Sequence, residues 1–110
     1  MKPVNLAEKL TKITDHWSPK IIGRYNENDI MVVKVQGEFL WHSHDETDDL
    51  FLVLSGRLTI KTEHGDVEMG PGELHVVPKG VSHCPVAEEE THLLLICLLY
   101  TSDAADDTPC

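Results

Sequence analysis

The chain has 110 residues, 41% of them hydrophobic, and 9 basic against 19 acidic side chains give it a formal net charge of -10. This length suits one domain with a single core, and the apolar content excludes a disordered acidic tail. The negative charge repels phosphate backbones and anionic lipids, so we expect no nucleic-acid or membrane partner. The sequence shows neither a membrane span nor a signal core, and its three cysteines lack CxxC spacing; both features predict a cytoplasmic protein with reduced thiols.

The N-terminal segment predicts a short amphipathic helix from about Leu6 to Thr14. Asn5 is followed three residues later by Glu8, which is the spacing of a capping box. Apolar side chains then recur at helical intervals. We expect this helix to form a lid across one end of the β-structure that follows, or to pack against a partner subunit.

The rest of the chain predicts short β-strands separated by turns that are rich in glycine and proline. The predicted strands cover residues 20–25, 30–35, 50–54, 59–62, 66–69, 73–77, 81–84 and 92–99, with 87–90 as a solvated turn. Many short strands and one helix favour an all-β sandwich or barrel. We predict one domain over residues 1–99, followed by an acidic tail over 100–110 that resembles a translated sequencing adapter.

Three histidines and an aspartate lie beside predicted strands. His42 and His44 are two residues apart, so an extended backbone directs both imidazoles to one face. Asp49 opens the next apolar run, and His83 follows a Pro-x-Gly turn. Imidazole and carboxylate together bind divalent Fe, Mn, Co, Ni, Cu or Zn. We therefore predict a mononuclear transition-metal site formed by His42, His44, Asp49 and His83.

Asp49 leaves an alternative open. Its side chain is one methylene shorter than that of glutamate, so the carboxylate falls short by about one bond length unless the strand or the metal shifts. The alternative is a site of three histidines with water in the fourth position. We interpret His64, His75 and His92 as ordinary core or surface histidines.

The two stretches that carry the three histidines and Asp49 resemble the paired signature motifs of the cupin superfamily. The likeness is to its small single-domain bacterial members in particular. Motif 1 spans residues 37–56 and motif 2 spans 72–87; the matching positions are Gly37, His42, His44, Asp49, Gly56, Gly72, Pro78, Gly80 and His83. The sequence departs from the family pattern at three positions. Gly37 lies one residue closer to the first histidine than is usual, Asp49 replaces glutamate, and Ala87 replaces asparagine. The resemblance implies a single cupin-type jelly-roll β-barrel, of the kind often labelled mannose-6-phosphate isomerase-like.

Residues 49–54 alternate between two apolar rows. Asp49, Phe51 and Val53 share the metal-bearing face, and the opposite row holds Leu50, Leu52 and Leu54. An exposed apolar row usually marks an interface, so we predict a homodimer; the alternative is coverage by the N-terminal helix or the tail. The expected pocket wall consists of Leu40, Phe51, Val53, Val81 and Met31.

The function predicted from this resemblance is that of a metal-binding cupin acting on a small molecule, as an oxygenase or an isomerase. No separate acid or base is evident in the sequence, so catalytic residues remain unassigned. The alternative is a non-catalytic cupin that binds or senses a small ligand, since the fold alone does not choose among these activities.

Overall fold

The structure, a computed structural model, describes residues 2–98 and confirms the all-β class. The predicted tail over 100–110 lies outside the described residues. One helix precedes seven strands: α1 (Leu6–Thr11), β1 (Lys20–Tyr25), β2 (Asn28–Glu38), β3 (Asp49–Ser55), β4 (Leu58–Thr62), β5 (Gly65–Met69), β6 (Leu74–Val77) and β7 (His83–Leu98). Every pairing between these strands is antiparallel.

Strand β7 organises the sheet because it pairs with three other strands. One of its edges pairs with β2, while the other pairs with β4 near His83 and with β3 near Ile96. The sheet therefore curls around one interior as a jelly roll. Among the described strands, β5 pairs only with β4 and β6 only with β3, so hydrogen bonds do not close the wall into a full barrel.

The predicted turn at residues 87–90 is wrong, because this segment belongs to β7. Ala87 pairs with Gly37 and Thr91 pairs with Val35, so three residues of β7 lie opposite Gln36 alone. This irregularity is a bulge, which bends a strand without ending it. Its exposed glutamates resemble a turn in sequence although the ladder continues on both sides.

The core lies on the inner face of the curled sheet. Phe51 and Val53 of β3 face it, together with the buried side chains of the surrounding strands, which include Met31, Val33, Val35, Leu58, Ile60, Met69, Val77, Leu93 and Leu95. Burying an aliphatic side chain of this kind contributes about 1.5–3 kcal/mol. This packed core holds the strand ends in place, and those ends carry the polar residues of the candidate site.

Helix α1 begins as the capping pattern predicts, since the backbone N–H of Glu8 donates to Asn5 Oδ1 at 3.0 Å. It ends at Thr11, three residues earlier than predicted. Its apolar side packs against the outside of the sheet, where Leu10 and Ile13 contact Val32. The prediction of a lid across one end is therefore wrong.

No helix among residues 2–98 is long and apolar enough to cross a membrane.

The outer side of β3, β6 and β7 carries an apolar surface that we call the outer face. The strand register places its six members on one side of the sheet, namely Leu50, Leu52, Leu74, Val76, Leu94 and Ile96. Leu74 is 59% exposed and Val76 is 39% exposed. The apolar cluster between helix α1 and the outside of the sheet covers Leu54 but leaves Leu74 and Val76 open.

The cysteines differ from one another. Cys84 is a buried free thiol. Burial and the nearby Glu38 carboxylate raise its pKa, which keeps it in the unreactive protonated form. Cys97 is buried in β7; Cys110 lies outside the described residues, and the prediction of reduced thiols for these two cysteines stays a prediction.

Candidate metal centre

A single antiparallel bridge joins the two motifs at the candidate site. The N–H of His42 donates to the carbonyl of His83 at 3.0 Å, and the N–H of His83 donates to the carbonyl of His42 at 2.9 Å. Residues opposite each other in such a pair direct their side chains to the same face. Gly80 adds a third link, since its N–H donates to the His44 carbonyl at 2.7 Å. The backbone therefore places all three imidazoles together.

The segment that carries His42 and His44 is not the strand that the alternation predicts, because β2 ends at Glu38. Gly37 adopts a φ of 90°, a conformation that favours glycine. Beyond Gly37, the apolar side chains consequently face the opposite way from the predicted alternation. Leu40, an expected wall residue, is 71% exposed, while Phe39 turns towards the site and contacts the ring of His42.

The structure brings the four predicted residues together. One ligand atom from each of His42, His44 and Asp49 lies within 4.8 Å of the other two. Asp49 Oδ2 is 3.4 Å from His44 Nε2 and 3.2 Å from His83 Nε2. Asp49 reaches this position as the first residue of β3, where it is 3% exposed.

Four of these polar atoms are buried without a hydrogen-bond partner among the described residues: His44 Nε2, His83 Nε2 and both carboxylate oxygens of Asp49. Leaving a buried polar group unsatisfied costs about 1–3 kcal/mol. Several such atoms around one point are unfavourable unless a cation binds them or an imidazole nitrogen is protonated towards Asp49. The donor set therefore fits a bound metal ion.

The ring orientations agree with metal binding. His42 Nδ1 donates to the Leu40 carbonyl at 2.8 Å, and His83 Nδ1 donates to the Val81 carbonyl at 2.9 Å. A carbonyl only accepts hydrogen bonds, so each Nδ1 carries the proton and the neutral ring keeps a lone pair on Nε2. Carbonyl partners orient metal-binding histidines in this way.

Burial and charge move the pKa values of two of these histidines in opposite directions. Burial lowers the pKa of His42, and the neighbouring His83 and His44 lower it further, against the Leu40 carbonyl and Asp49. Burial also acts to lower the pKa of His83, but the Asp49 carboxylate and the Val81 carbonyl outweigh it and raise the pKa above 6.5. Without a metal, Asp49 therefore favours a proton on His83.

The neighbouring acidic residues do not join the cluster. Asp48 Oδ1 accepts the backbone N–H of Lys79 at 2.8 Å. Asp45 and Glu46 are exposed. Of these four neighbouring carboxylates, only that of Asp49 is buried in the cluster.

A small cavity of about 40 Å³ lies beside His42 and Asp49. This volume falls below the range of about 300–1,000 Å³ that is typical of small-molecule sites. Of the expected wall residues, Phe51 lines it, whereas Met31 and Val53 belong to the core behind it. Sequence reasoning missed Trp17, Phe39 and Pro85, which form part of the wall. Only the aromatic character of Trp17 and Phe39 hinted at this role.

Comparison with known proteins agrees with this geometry. The family model described as "Cupin domain" matches residues 29–99, which cover all four polar residues and the sheet except β1 and the first residue of β2. The chain belongs to the cupin family. The resemblance seen in the two motifs is therefore confirmed.

Two solved structures are similar to this cupin over most of its length. A cupin-2 domain containing protein from Shewanella frigidimarina is 40% identical, with a TM-score of 0.82 over 84% of this chain and 91% of that chain. Protein NMB1881 from Neisseria meningitidis is 34% identical, with a TM-score of 0.81 over 88% of this chain and 99% of that chain. The uncharacterized protein YdbB of Bacillus subtilis is 26% identical over 74% of each chain.

Proposed function

We propose that this cupin binds one divalent transition-metal ion through His42, His44, Asp49 and His83. The observation that supports this most strongly is the group of buried, unpartnered nitrogen and oxygen atoms between the two motifs. Imidazole nitrogens favour Fe, Mn, Co, Ni, Cu or Zn over Ca or Mg, which prefer oxygen ligands. When bound, such an ion supplies a Lewis acid with positions open to a small molecule.

Metal analysis of protein purified without an affinity tag tests this proposal. We expect about one transition-metal ion per chain, and its loss in the His42→Ala/His44→Ala variant, since two of the four donors are removed. The matched control is His64→Ala/His92→Ala, which removes two histidines outside the site. Absence of metal from the wild type even after supply of Zn, Mn or Fe would overturn the proposal, as would equal loss of metal in the control.

We further propose that a small molecule meets the metal at the cavity beside His42 and Asp49, although the small volume limits how much of the ligand enters it. Among the residues that line it in the described part of the chain, only His42 and Asp49 have ionisable side chains. An isomerase needs a separate proton-transfer group near its substrate, so this lining favours an oxygenase or a binding module. Iron-loaded protein that consumes dioxygen only with its ligand would identify an oxygenase. Saturable binding without dioxygen uptake would identify the binding module.

We also propose that the cupin is a homodimer that buries the outer face. Leu74 and Val76 are exposed there, on strand β6, which pairs only with β3 among the described strands. An apolar face is complementary to itself, as a two-fold interface requires. A second copy would cover both the apolar side chains and the open edge of β6.

A further inference from the structure

Two stacked rings separate the cavity beside the metal residues from solvent. Trp17 and Phe39 both line the cavity and are both partly exposed. Their ring centroids are 4.9 Å apart, and Phe39 also contacts the ring of His42 at 5.4 Å. The cavity behind them, about 40 Å³, has room for only a few water molecules. A larger ligand therefore reaches the metal residues through this cavity only if one of the two rings moves.

Phe39 is the fixed member of this pair. Its backbone N–H donates to the Pro85 carbonyl at 3.0 Å, and three residues further on the His42–His83 bridge ties the same segment to β7. Movement of Phe39 would therefore pull on a metal-binding residue. Trp17 is not under this constraint, because it lies in the connection between α1 and β1, outside every described strand.

The part of this connection that carries Trp17 is residues 14–18, which we call the strap. Both of its ends are anchored to the sheet. Before it, Ile13 is buried and its carbonyl accepts a hydrogen bond from Lys34 Nζ at 2.9 Å. After it, Lys20 pairs with Val32 at the start of β1. The strap thus spans two fixed points, and movement between them leaves the sheet intact.

Among the described residues, three hydrogen bonds join the strap to β2 and β7, each at 2.9 Å. Trp17 donates two of them, from its backbone N–H to the Lys34 carbonyl and from its indole N–H to the Gln36 carbonyl. In the third, His16 Nε2 donates to Glu90 Oε2 at the exposed bulge of β7. A segment held by so few contacts at the surface opens locally, without unfolding of the strands beneath it.

The backbone of Trp17 is strained in this closed position. Its φ is 59°, in the left-handed region that a bulky side chain rarely adopts. Strain of this kind concentrates at ligand clamps and switch segments. Opening the strap releases the strain, and this offsets part of the cost of breaking the hydrogen bonds and the stacking on Phe39.

We infer that the strap gates the metal cavity, and that Trp17 limits the size of the ligand that reaches the metal. When the strap is closed, only a molecule of a few atoms fits beside His42 and Asp49. When it opens, the space of the indole joins the cavity and a larger ligand enters. This inference rests on the proposed function, because it concerns access to the proposed metal. Trp17 has no chemical role here; it determines specificity by size.

Hydrogen exchange of the metal-free protein, followed by NMR, measures the opening of the strap. We expect the backbone and indole N–H protons of Trp17 to exchange at least about 100-fold faster than the Val33 amide in β2, since local opening exposes them. Glu90→Ala removes the partner of His16 and should speed this exchange several-fold. Glu89→Ala is the matched control, because no hydrogen bond joins its side chain to the strap. Exchange of Trp17 as slow as that of Val33 would overturn the inference.

Binding of two carboxylates to the cobalt-loaded protein, followed by the visible absorption of Co²⁺, tests the limit on size. Formate has only three heavy atoms, whereas cyclohexanecarboxylate carries a six-membered ring on the same group. We expect Trp17→Ala to tighten binding of the larger ligand at least about tenfold, because the open fraction no longer limits it, and to change formate binding less than about twofold. Glu90→Ala should tighten binding of the larger ligand several-fold, since it raises the open fraction.

The matched control is Trp41→Ala, because Trp41 is exposed and lies outside the cavity lining. Equal effects of Trp17→Ala on the two carboxylates, or the same tightening in Trp41→Ala, would overturn the inference. Cobalt content is expected to stay at that of the wild type in all three variants. If the wild type takes up no cobalt, the proposed function fails, whereas the exchange of Trp17 in the metal-free protein still decides whether the strap opens.

Discussion

Asp49 dominates the electrostatics of the metal centre, because its carboxylate lies against both His44 and His83. Glutamate is the usual residue at this motif position, and the shorter aspartate still comes within 3.2 Å of an imidazole nitrogen. The carboxylate reaches this position from the first residue of β3. A carboxylate this close to two rings controls where the metal-free site holds a proton.

We predict that Asp49→Asn lowers the pKa of His83 in the metal-free protein. The substitution removes the main group that raises this pKa, whereas the burial that lowers it remains. NMR titration of the imidazole carbon-bound protons measures the change. The control is Asp48→Asn, which alters an exposed carboxylate directed at Lys79. An unchanged His83 pKa in Asp49→Asn would contradict the prediction.

The same shift predicts how stability depends on pH. Because the pKa of His83 is raised in the folded protein, its protonated form stabilises the fold below about pH 6.5, and this contribution is lost as pH rises through the raised value. His83→Gln should therefore reduce the free energy of unfolding more at about pH 5.5 than at about pH 8.

Urea unfolding of metal-free protein at both values measures the difference, with His64→Gln as the control on an exposed turn. His42 acts with the opposite sign, because its lowered pKa makes acidification unfavourable for the fold. A loss in His83→Gln that is the same at both pH values would contradict the prediction.

Among the elements, the tight turn between β3 and β4 depends on Gly56. Its φ is 92°, and a Cβ at this position would lie 2.5 Å from Thr91 Oγ1 and 3.0 Å from the Thr91 Cα. Thr91 is fully buried, and its hydroxyl bonds both the N–H and the carbonyl of Arg57. The turn thus has no room for a side chain.

We predict that Gly56→Ala destabilises the fold by about 2–4 kcal/mol, since conformational strain and a collision with the backbone of Thr91 act together. Gly72→Ala is the matched control, because its φ is 83° but nothing lies within 4 Å of the added Cβ. Only the conformational cost of about 1–2 kcal/mol should appear there. Equal losses in chemical denaturation of the two variants would contradict the role of Thr91.

Local patterns in the sequence predict most of the strands and the grouping of the site residues. Alternation works for β3, where regular pairing on both sides enforces it. The alternation fails at Phe39 and Leu40, because the positive φ of Gly37 redirects the chain and separate hydrogen bonds rather than a continuous ladder hold that segment. No local pattern predicts that β7 continues through residues 87–90, since this continuity depends on pairing with β2, which is distant in sequence. The pocket role of Trp17 depends on a backbone angle that no residue pattern specifies.

At the scale of the whole molecule, the outer face predicts the oligomeric state. We expect light scattering to give the mass of two chains for the wild type, and that of one chain for Leu74→Glu/Val76→Glu, because paired buried carboxylates oppose association. The control is Ile21→Glu, which places a charge on an exposed apolar position of β1. A monomeric wild type, or dissociation in the control, would contradict the prediction.

The two halves of the metal centre are joined near the ligands by the His42–His83 bridge, and this has a kinetic consequence. A short connection of this kind opens locally, without unfolding of the β2–β7 ladder, so the amide protons of His42 and His83 should exchange with solvent early. A metal held from both sides makes each opening cost its binding free energy as well. Hydrogen exchange at these two amides would then slow on metal addition, while that of Val33 in β2 barely changes. The exchange rates at the bridge would therefore report the fraction of protein that has metal bound.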